Sequence, residues 1–301
     1  MFEIIKSGTK FNFVNKFGIT TVLSVLLVAA GLYLTMTKMN YGVDFRGGAE
    51  IQAKFSSPVK MSEVRDTLSD GGFKGFSVQT IGQASENEFL VKVQGDESNL
   101  NQISTDVQAA LNTKYAGSGV EIRKVDIVGP KAGENLRISG FQAMLWALLA
   151  IMVYIGLRFD FKYSPGAIVA LFHDVTIILG VYALTGTQFT LQTVAALLAV
   201  IGYSVNDTVI VYDRVREHEQ KFSGLQLKEH INNAVNETLS RTILTSSTTL
   251  FVSGAMFVYG GEAIHDFFMA ITLGVVIGTY SSIFVAAPVT LFFERFNKKT
   301  A

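Results

Sequence analysis

Uninterrupted apolar runs recur along the chain at lengths that suit a bilayer better than a soluble core. The first runs from Phe17 to Met36, and five more lie at about 137–157, 165–185, 189–212, 242–260 and 266–293. Crossing about 30 Å of hydrocarbon takes about 20 helical residues, so each run predicts one span, tilted or projecting where it is longer. Phe17–Met36 follows a lysine-bearing N-terminus but leads into Lys38–Tyr41 without an A-x-A-like cleavage site. It therefore reads as a retained span and not as a removed signal.

Between the first two spans the pattern changes period. "AEIQAKF" alternates as a strand does, "SPVKMSEVRDTLSDGG" starts as a helix at Ser57-Pro58 and stops at glycine, and "FSVQTIG" and "NEFLVKVQG" read as two strands. "DESNLNQISTDVQAALNTKY" has helical spacing at Leu100, Ile103, Val107, Ala110 and Leu111, and "GVEIRKVDIVG" closes with a strand. The order β-α-β-β-α-β is the ferredoxin-like pattern. The chain thus divides into a first span within 1–37, an α+β domain over 38–134, and a five-helix bundle over 135–301. The domain reads either as a compact spacer or as a binding or moving part coupled to the spans.

Composition agrees with a membrane class: 49% of residues are hydrophobic and 17% charged. Formal net charge is zero, so no basic footprint for nucleic acid exists, and without cysteine there is no disulfide, thiolate metal site or cysteine nucleophile. No phosphate-binding glycine loop, H-E-x-x-H or hydrolase elbow occurs, which gives ATP hydrolysis and peptidase chemistry little support; the expected class is not an enzyme, with no cofactor.

Orientation follows from the loops. Lys6, Lys10 and Lys16 precede the first span, Arg158 and Lys162 lie between spans two and three, Arg214, Arg216, Lys221 and Lys228 between four and five, and Arg295, Lys298 and Lys299 after six. The positive-inside rule puts these in the cytoplasm with both termini, and puts "LTGTQFT", "YGGEAIHDFF" and the α+β domain outside. The cytoplasmic stretch at about 214–240 is amphipathic, with Leu225, Leu227, Ile231, Ala234, Val235 and Leu239 among charges, and suits an interfacial or partner-docking segment.

The chemistry-bearing anomaly is Asp207, inside the fourth span. A charge at bilayer depth costs about 2.5 to more than 10 kcal/mol, so such a residue faces protein and has a partner. Tyr203, one turn away, is one candidate donor, and Arg241 at the cytoplasmic end of span five is the better one. Arg241, Thr245, Thr248 and Val252 share a helical face, so two hydroxyls follow the guanidinium. Carboxylate, guanidinium and hydroxyls suit a proton relay in which Asp207 exchanges the proton; they equally suit a structural pair with ordinary Ser/Thr helix packing. A second intramembrane site, and a further candidate for the proton pathway, is "FHDV" in span three, which places His173 and Asp174 side by side. Neighbours on a helix point about 100° apart, which argues against a dyad. His173 is either a group titrating near neutral pH or part of a hydrogen-bond network. Asp213 and Arg214 mark the solvated end of span four, and Gly274 and Gly278, spaced G-x-x-x-G, predict close helix packing.

"YGVDFRGG" at 41–48, "VDIVGPKAGENLR" at 125–137, "FHDV" at 172–175, "GYSVNDTVIVYDRVRE" at 202–217 and "NETLSRTILTSSTTL" at 236–250 resemble the SecF family of protein-export subunits, within the resistance-nodulation-division group. The resemblance implies a six-span α-helical protein of the bacterial inner membrane with one ferredoxin-like periplasmic domain, paired with SecD beside the SecYEG channel and often with YajC. It implies protons as coupling ion, the proton gradient assisting preproteins after the ATP-driven stage. It places Asp207 and Arg241 on the proton path, with Thr245 and Thr248 in the matching hydroxyl ladder and the periplasmic domain moving with proton passage. A proton moving inward gains about 2.3 kcal/mol per 100 mV and about 1.4 kcal/mol per pH unit, enough to bias an equilibrium of a few kcal/mol. Two other readings share part of this chemistry: half of a proton-coupled small-molecule exporter, and a structural assembly subunit.

Overall fold

The computed structural model describes residues 9–82, 84–95, 99–117 and 119–300, with side chains described for these except Ala84 and residues 295–300. Lys6 lies outside the described residues, as do the side chains of Arg295, Lys298 and Lys299. Among the described residues six helices are long and apolar enough to cross a membrane.

The first, α1 (Phe17–Lys38), leads through strand β1 (Asn40–Tyr41) and a one-turn helix α2 (Val43–Arg46) into the α+β domain. That domain is β2 (Gly48–Phe55), α3 (Met61–Asp70), β3 (Phe76–Thr80), β4 (Glu88–Gln94), α4 (Leu100–Lys114) and β5 (Val120–Val128). Its antiparallel sheet has the order β3-β4-β2-β5, as the β-α-β-β-α-β pattern requires. The alternation read from "AEIQAKF" is real: Ala49, Ile51, Ala53 and Phe55 are buried, the last three against Val64, Leu68, Val107 and Leu111 of the two helices, while the intervening Glu50, Gln52 and Lys54 are half-buried.

The other spans begin earlier or run longer than hydropathy predicts. Helix α5 covers Pro130–Arg158, starting inside the segment assigned to the outer domain. Proline at the first helical position loses no hydrogen bond there, so residues 131–136, with Lys131, Glu134 and Asn135 among them, form helix ahead of the apolar run. Next come α6 (Ser164–Thr185), β6 (Gln188–Phe189), α7 (Leu191–Lys221) and α8 (Leu227–Tyr259). The last span is α9 (Glu262–Ser281), a π turn (Ser282–Ala286) and α10 (Ala287–Thr300).

The 214–240 stretch is not a separate interfacial segment. It is the projecting end of α7, a short turn, and the first turns of α8. Leu227, Ile231, Ala234, Val235 and Leu239 are buried against Val211, Tyr212 and Val215 of α7, and Leu225 alone of that set is exposed. Two amphipathic helix ends thus satisfy one another. Asn232 and Asn236 extend the hairpin by hydrogen bonding the backbone of Phe11 and Phe13, which straps the N-terminal segment along α8.

Candidate functional site

The site is built on one stripe of α7. Val200, Ser204, Asp207, Thr208 and Val211 recur at helical spacing and are all buried. The stripe faces α9, whose Gly274 and Gly278 permit the approach. A Cβ on Gly274 would overlap the Val200 side chain, and one on Gly278 would lie 3.0 Å from the Cβ and Oγ of Ser204. The G-x-x-x-G spacing therefore sets how near α9 stands to the two carboxylates beside it.

Asp174, on α6, is 1% exposed. One oxygen accepts from Ser204 of α7 at 2.6 Å and Ser281 of α9 at 2.8 Å, and the other pairs with His173 Nδ1 at 2.9 Å. The dyad judged unfavourable from helix geometry is formed. The 100° between neighbouring Cβ atoms is bridged by side-chain rotation, because imidazole and carboxylate both reach sideways along the helix surface. With the carboxylate ionised, Nδ1 carries the proton and donates it, and in the neutral ring Nε2 is then the acceptor. That Nε2 is buried, without a hydrogen-bond partner among the described residues, at the edge of an apolar groove of about 580 Å³ between α1, α6 and α10. The ring stacks on Tyr280, whose hydroxyl meets Ser24 of α1 at 3.0 Å.

Asp207 is equally buried, at 1% exposed, but differently provided for. Its hydrogen bond comes from Ser246 of α8, at 3.5 Å. Ser246 also meets Thr279 of α9 at 2.7 Å, and Thr279 bonds the Val275 carbonyl at 2.7 Å. Each hydroxyl has one proton. If Thr279 donates to Val275, Ser246 must donate to Thr279, and Asp207 loses its donor; if Ser246 serves Asp207, Thr279 must turn its proton from the Val275 carbonyl to Ser246.

Arg241 does not close an ion pair with Asp207; its guanidinium acts on the carboxylate as a Coulombic attraction over a longer distance. Tyr203 is not the donor either, for its buried hydroxyl has no partner among the described residues. Arg241, Thr245, Thr248 and Val252 do share a face, and it is the outer one: Arg241, Thr248 and Val252 are exposed and Thr245 is half-buried. Thr245 donates to the carbonyls of Arg241 and Thr242, and Thr248 to that of Thr245. The inward face, one residue on, carries Thr242, Ser246 and Ser253. Sequence reasoning missed Ser204, Ser246, Thr279 and Ser281; Ser204 was recoverable as one turn from Asp207, whereas the α9 hydroxyls required knowing which helices meet.

Beyond Asp207, toward the α7–α8 hairpin, a polar cavity of about 440 Å³ is lined by Asn206, Asp213, Arg214, Glu217, Thr238 and Arg241. Asp213 is exposed there, and Arg214 is held by Glu217 and Glu237. Among the described residues no cluster of three or more His, Cys, Asp or Glu side chains is placed to hold a metal.

Fold and site together define a multi-pass membrane protein with an α+β domain at one side of the bilayer and two buried carboxylates among its central helices. The model of the SecD/SecF protein export membrane protein C-terminal family matches residues 107–295, and that of the SecD/SecF GG motif matches 33–59. The chain is 39% identical to the protein translocase subunit SecF of Rickettsia felis, over 99% of this chain and 97% of the relative. It is 37% identical to that of Vibrio alginolyticus, over 97% and 92%. The crystal structure of SecDF, a translocon-associated membrane protein from Thermus thermophilus, superposes with a TM-score of 0.79 at 33% identity, over 96% of this chain and 39% of that longer chain. The chain belongs to the SecF family of protein translocase subunits.

Proposed function

We propose that this chain acts with a SecD subunit in the bacterial inner membrane, using inward proton flow to assist late, ATP-independent export of preproteins through SecYEG. The observation that carries the reading is the unequal provision for two equally buried acids. Among the described residues Asp174 is met by three side-chain donors, of which Ser281 alone is shared, with the Gly278 carbonyl, whereas Asp207 has one distant donor whose proton is contested. A carboxylate so weakly supported is the one whose charge can change without dismantling the bundle. Asp174 is then an anchor joining α6, α7 and α9, with His173 fixed against it, and Asp207 is the exchanging group.

Protonating Asp207 removes the attraction of Arg241 and the demand on Ser246, frees Ser246 for Thr279, and loosens α8 against α7. The proton leaves through the polar cavity at the hairpin, on the cytoplasmic side in this orientation, with both termini cytoplasmic and residues 38 to about 129 periplasmic. The exposed face of α8 bearing Arg241, Thr245 and Thr248 is open to a partner, which fits SecD. The matched SecDF chain is long enough to hold a second subunit beside the part this chain covers. YajC and the preprotein complete the assembly. No covalent chemistry and no cofactor beyond the proton itself enters this scheme.

The test uses inverted vesicles containing the chain, SecD and the channel, loaded with a preprotein stalled after ATP is exhausted. Completion is compared with and without a proton gradient for wild type and Asp207→Asn at equal complex abundance. A gradient response confined to wild type supports the reading; an equal response in both refutes the role of Asp207.

A further inference from the structure

The segment "YGVDFRGG" has no part in the chemistry above, yet it is where the outer domain meets the membrane bundle. β1 pairs in parallel with β6, Asn40 opposite Gln188 and Tyr41 opposite Phe189, so the entry to the domain is stitched to the α6–α7 connection. The Gly42 amide donates to the Phe189 carbonyl at 2.9 Å. Asp44 then accepts from the Leu191 amide, the first of α7, at 2.8 Å.

That bond supplies something α7 cannot supply itself. The first backbone amides of a helix have no partner within it. Thr190 and Thr193 cap the helix reciprocally, and the Thr190 hydroxyl accepts from the Thr193 amide. The Leu191 amide is left over, and Asp44 takes it. A carboxylate at a helix N-terminus also gains from the macrodipole.

The two glycines fix α2 to its other neighbours. Gly47 has φ +85° and a Cβ there would lie 2.7 Å from the Pro130 nitrogen, at the first residue of α5; Gly48 has φ +156° and abuts the Val93 carbonyl of β4. Side chains larger than hydrogen are excluded at both. Phe45 stacks on Phe189 at 5.3 Å. By contrast, among the described residues the domain meets α9 through one hydrogen bond, from the Thr80 amide to Glu262 at 3.0 Å.

From this we infer that residues 40–48 form a rigid joint through which the outer domain and α7, the helix carrying Asp207, move as one body, with Asp44 the positioning residue that grips the α7 terminus. Domain movement parts the Thr80–Glu262 contact and leaves the joint closed. The functional half of this inference rests on the proton-coupled reading above; the mechanical half does not.

The test is made on the complex with SecD, in the vesicle assay and by spin labels on Lys114→Cys in the domain and Ala195→Cys in α7. The native chain lacks cysteine, so these thiols are unique to it. Wild type should give one narrow inter-label distance. Asp44→Ala should broaden it and lower gradient-driven completion roughly two- to thirtyfold, the range spanned by loss of a helix cap, with the ATP-driven stage unchanged. Asp44→Asn, which keeps an acceptor oxygen, should restore both. A disulfide between Asn40→Cys and Gln188→Cys, across the parallel pair, should leave gradient-driven completion intact.

A wild-type distance that stays narrow in Asp44→Ala overturns the joint, and so does a disulfide that blocks completion until it is reduced, because the joint would then have to open in each cycle. A wild type that ignores the gradient refutes the proton-coupled reading instead, and the label distances still decide the joint.

Discussion

Gly278→Ala tests how closely the site depends on the approach of α9 to α7. The added methyl would lie 3.0 Å from the Cβ and Oγ of Ser204. Ordinary carbon contacts are about 3.5–4.0 Å, so the helices must part by about 0.5 Å or more. Overpacking of this kind costs about 1–3 kcal/mol. Ser204 is also not free to yield, because its hydroxyl donates to Asp174 at 2.6 Å, and weakening a bond to a buried charge costs about 1.5–3 kcal/mol. The two penalties share one displacement and do not add fully, so the expected loss is about 2–4 kcal/mol. Ser204→Gly removes the atoms the methyl meets. In that background Gly278→Ala should cost less than about 1 kcal/mol, a coupling large enough for a double-mutant cycle to resolve. The assay is reversible unfolding in mixed detergent micelles followed by circular dichroism, on the two single variants and the double. Additive losses, or a Gly278→Ala protein as stable as wild type, would refute the claim that this contact spaces the helices around Asp174.

Two further outcomes follow from contacts at the hairpin side of the bundle. Asn236→Ala removes two hydrogen bonds to the Phe11 backbone, at 2.8 Å each, so residues 9–13 should become several-fold more sensitive to limited proteolysis while the α8 helix is unchanged; an unaltered cleavage rate would show that the strap does not depend on this asparagine. Glu219 accepts from Lys162 at 3.0 Å and from the Tyr163 hydroxyl at 2.8 Å, and Tyr163 is 1% exposed. Glu219→Ala strands that buried hydroxyl and should cost about 1–3 kcal/mol, more than Tyr163→Phe, which leaves Glu219 with its lysine; the reverse order in unfolding midpoints would refute the assignment.

The elements of the fold were legible because their patterns are long and strongly periodic. Span-length apolar runs give the helices, and alternation around Ile51, Ala53 and Phe55 gives the first domain strand. What escaped were features fixed by contacts between distant segments. Pro130 carries α5 past its apolar run, and the β1–β6 pair is too short for any period to reveal. At the site, Asp207 was conspicuous because a charge within an apolar run is rare, but serines are not conspicuous in any run. Ser204, Ser246 and Ser281 acquire a role only when α6, α7, α8 and α9 are brought together. The face containing Arg241, Thr245 and Thr248 was correctly grouped, while its direction was not, because spacing along one helix says which residues align and not which way they look.

That outward direction explains why Arg241 and Asp207 are not in contact. A guanidinium drawn into the bundle beside Asp207 would have to shed its water, and for a buried ion pair that loss can exceed the Coulombic gain. Here the arginine is exposed and lines the polar cavity with Asp213, Glu217 and Thr238, where a charge keeps its water. Thr245 and Thr248 bind their own helix carbonyls, so their side of α8 tolerates lipid or an apolar partner without leaving a hydroxyl unserved. Arg241 and the inward-facing Thr242 are neighbours on α8, about 100° apart around the helix, so the guanidinium and Ser246 cannot both face Asp207. If Asp207 is the exchanging group proposed above, a proton worth only a few kcal/mol acts on an acid whose hydrogen bond among the described residues, from Ser246, is long and contested by Thr279.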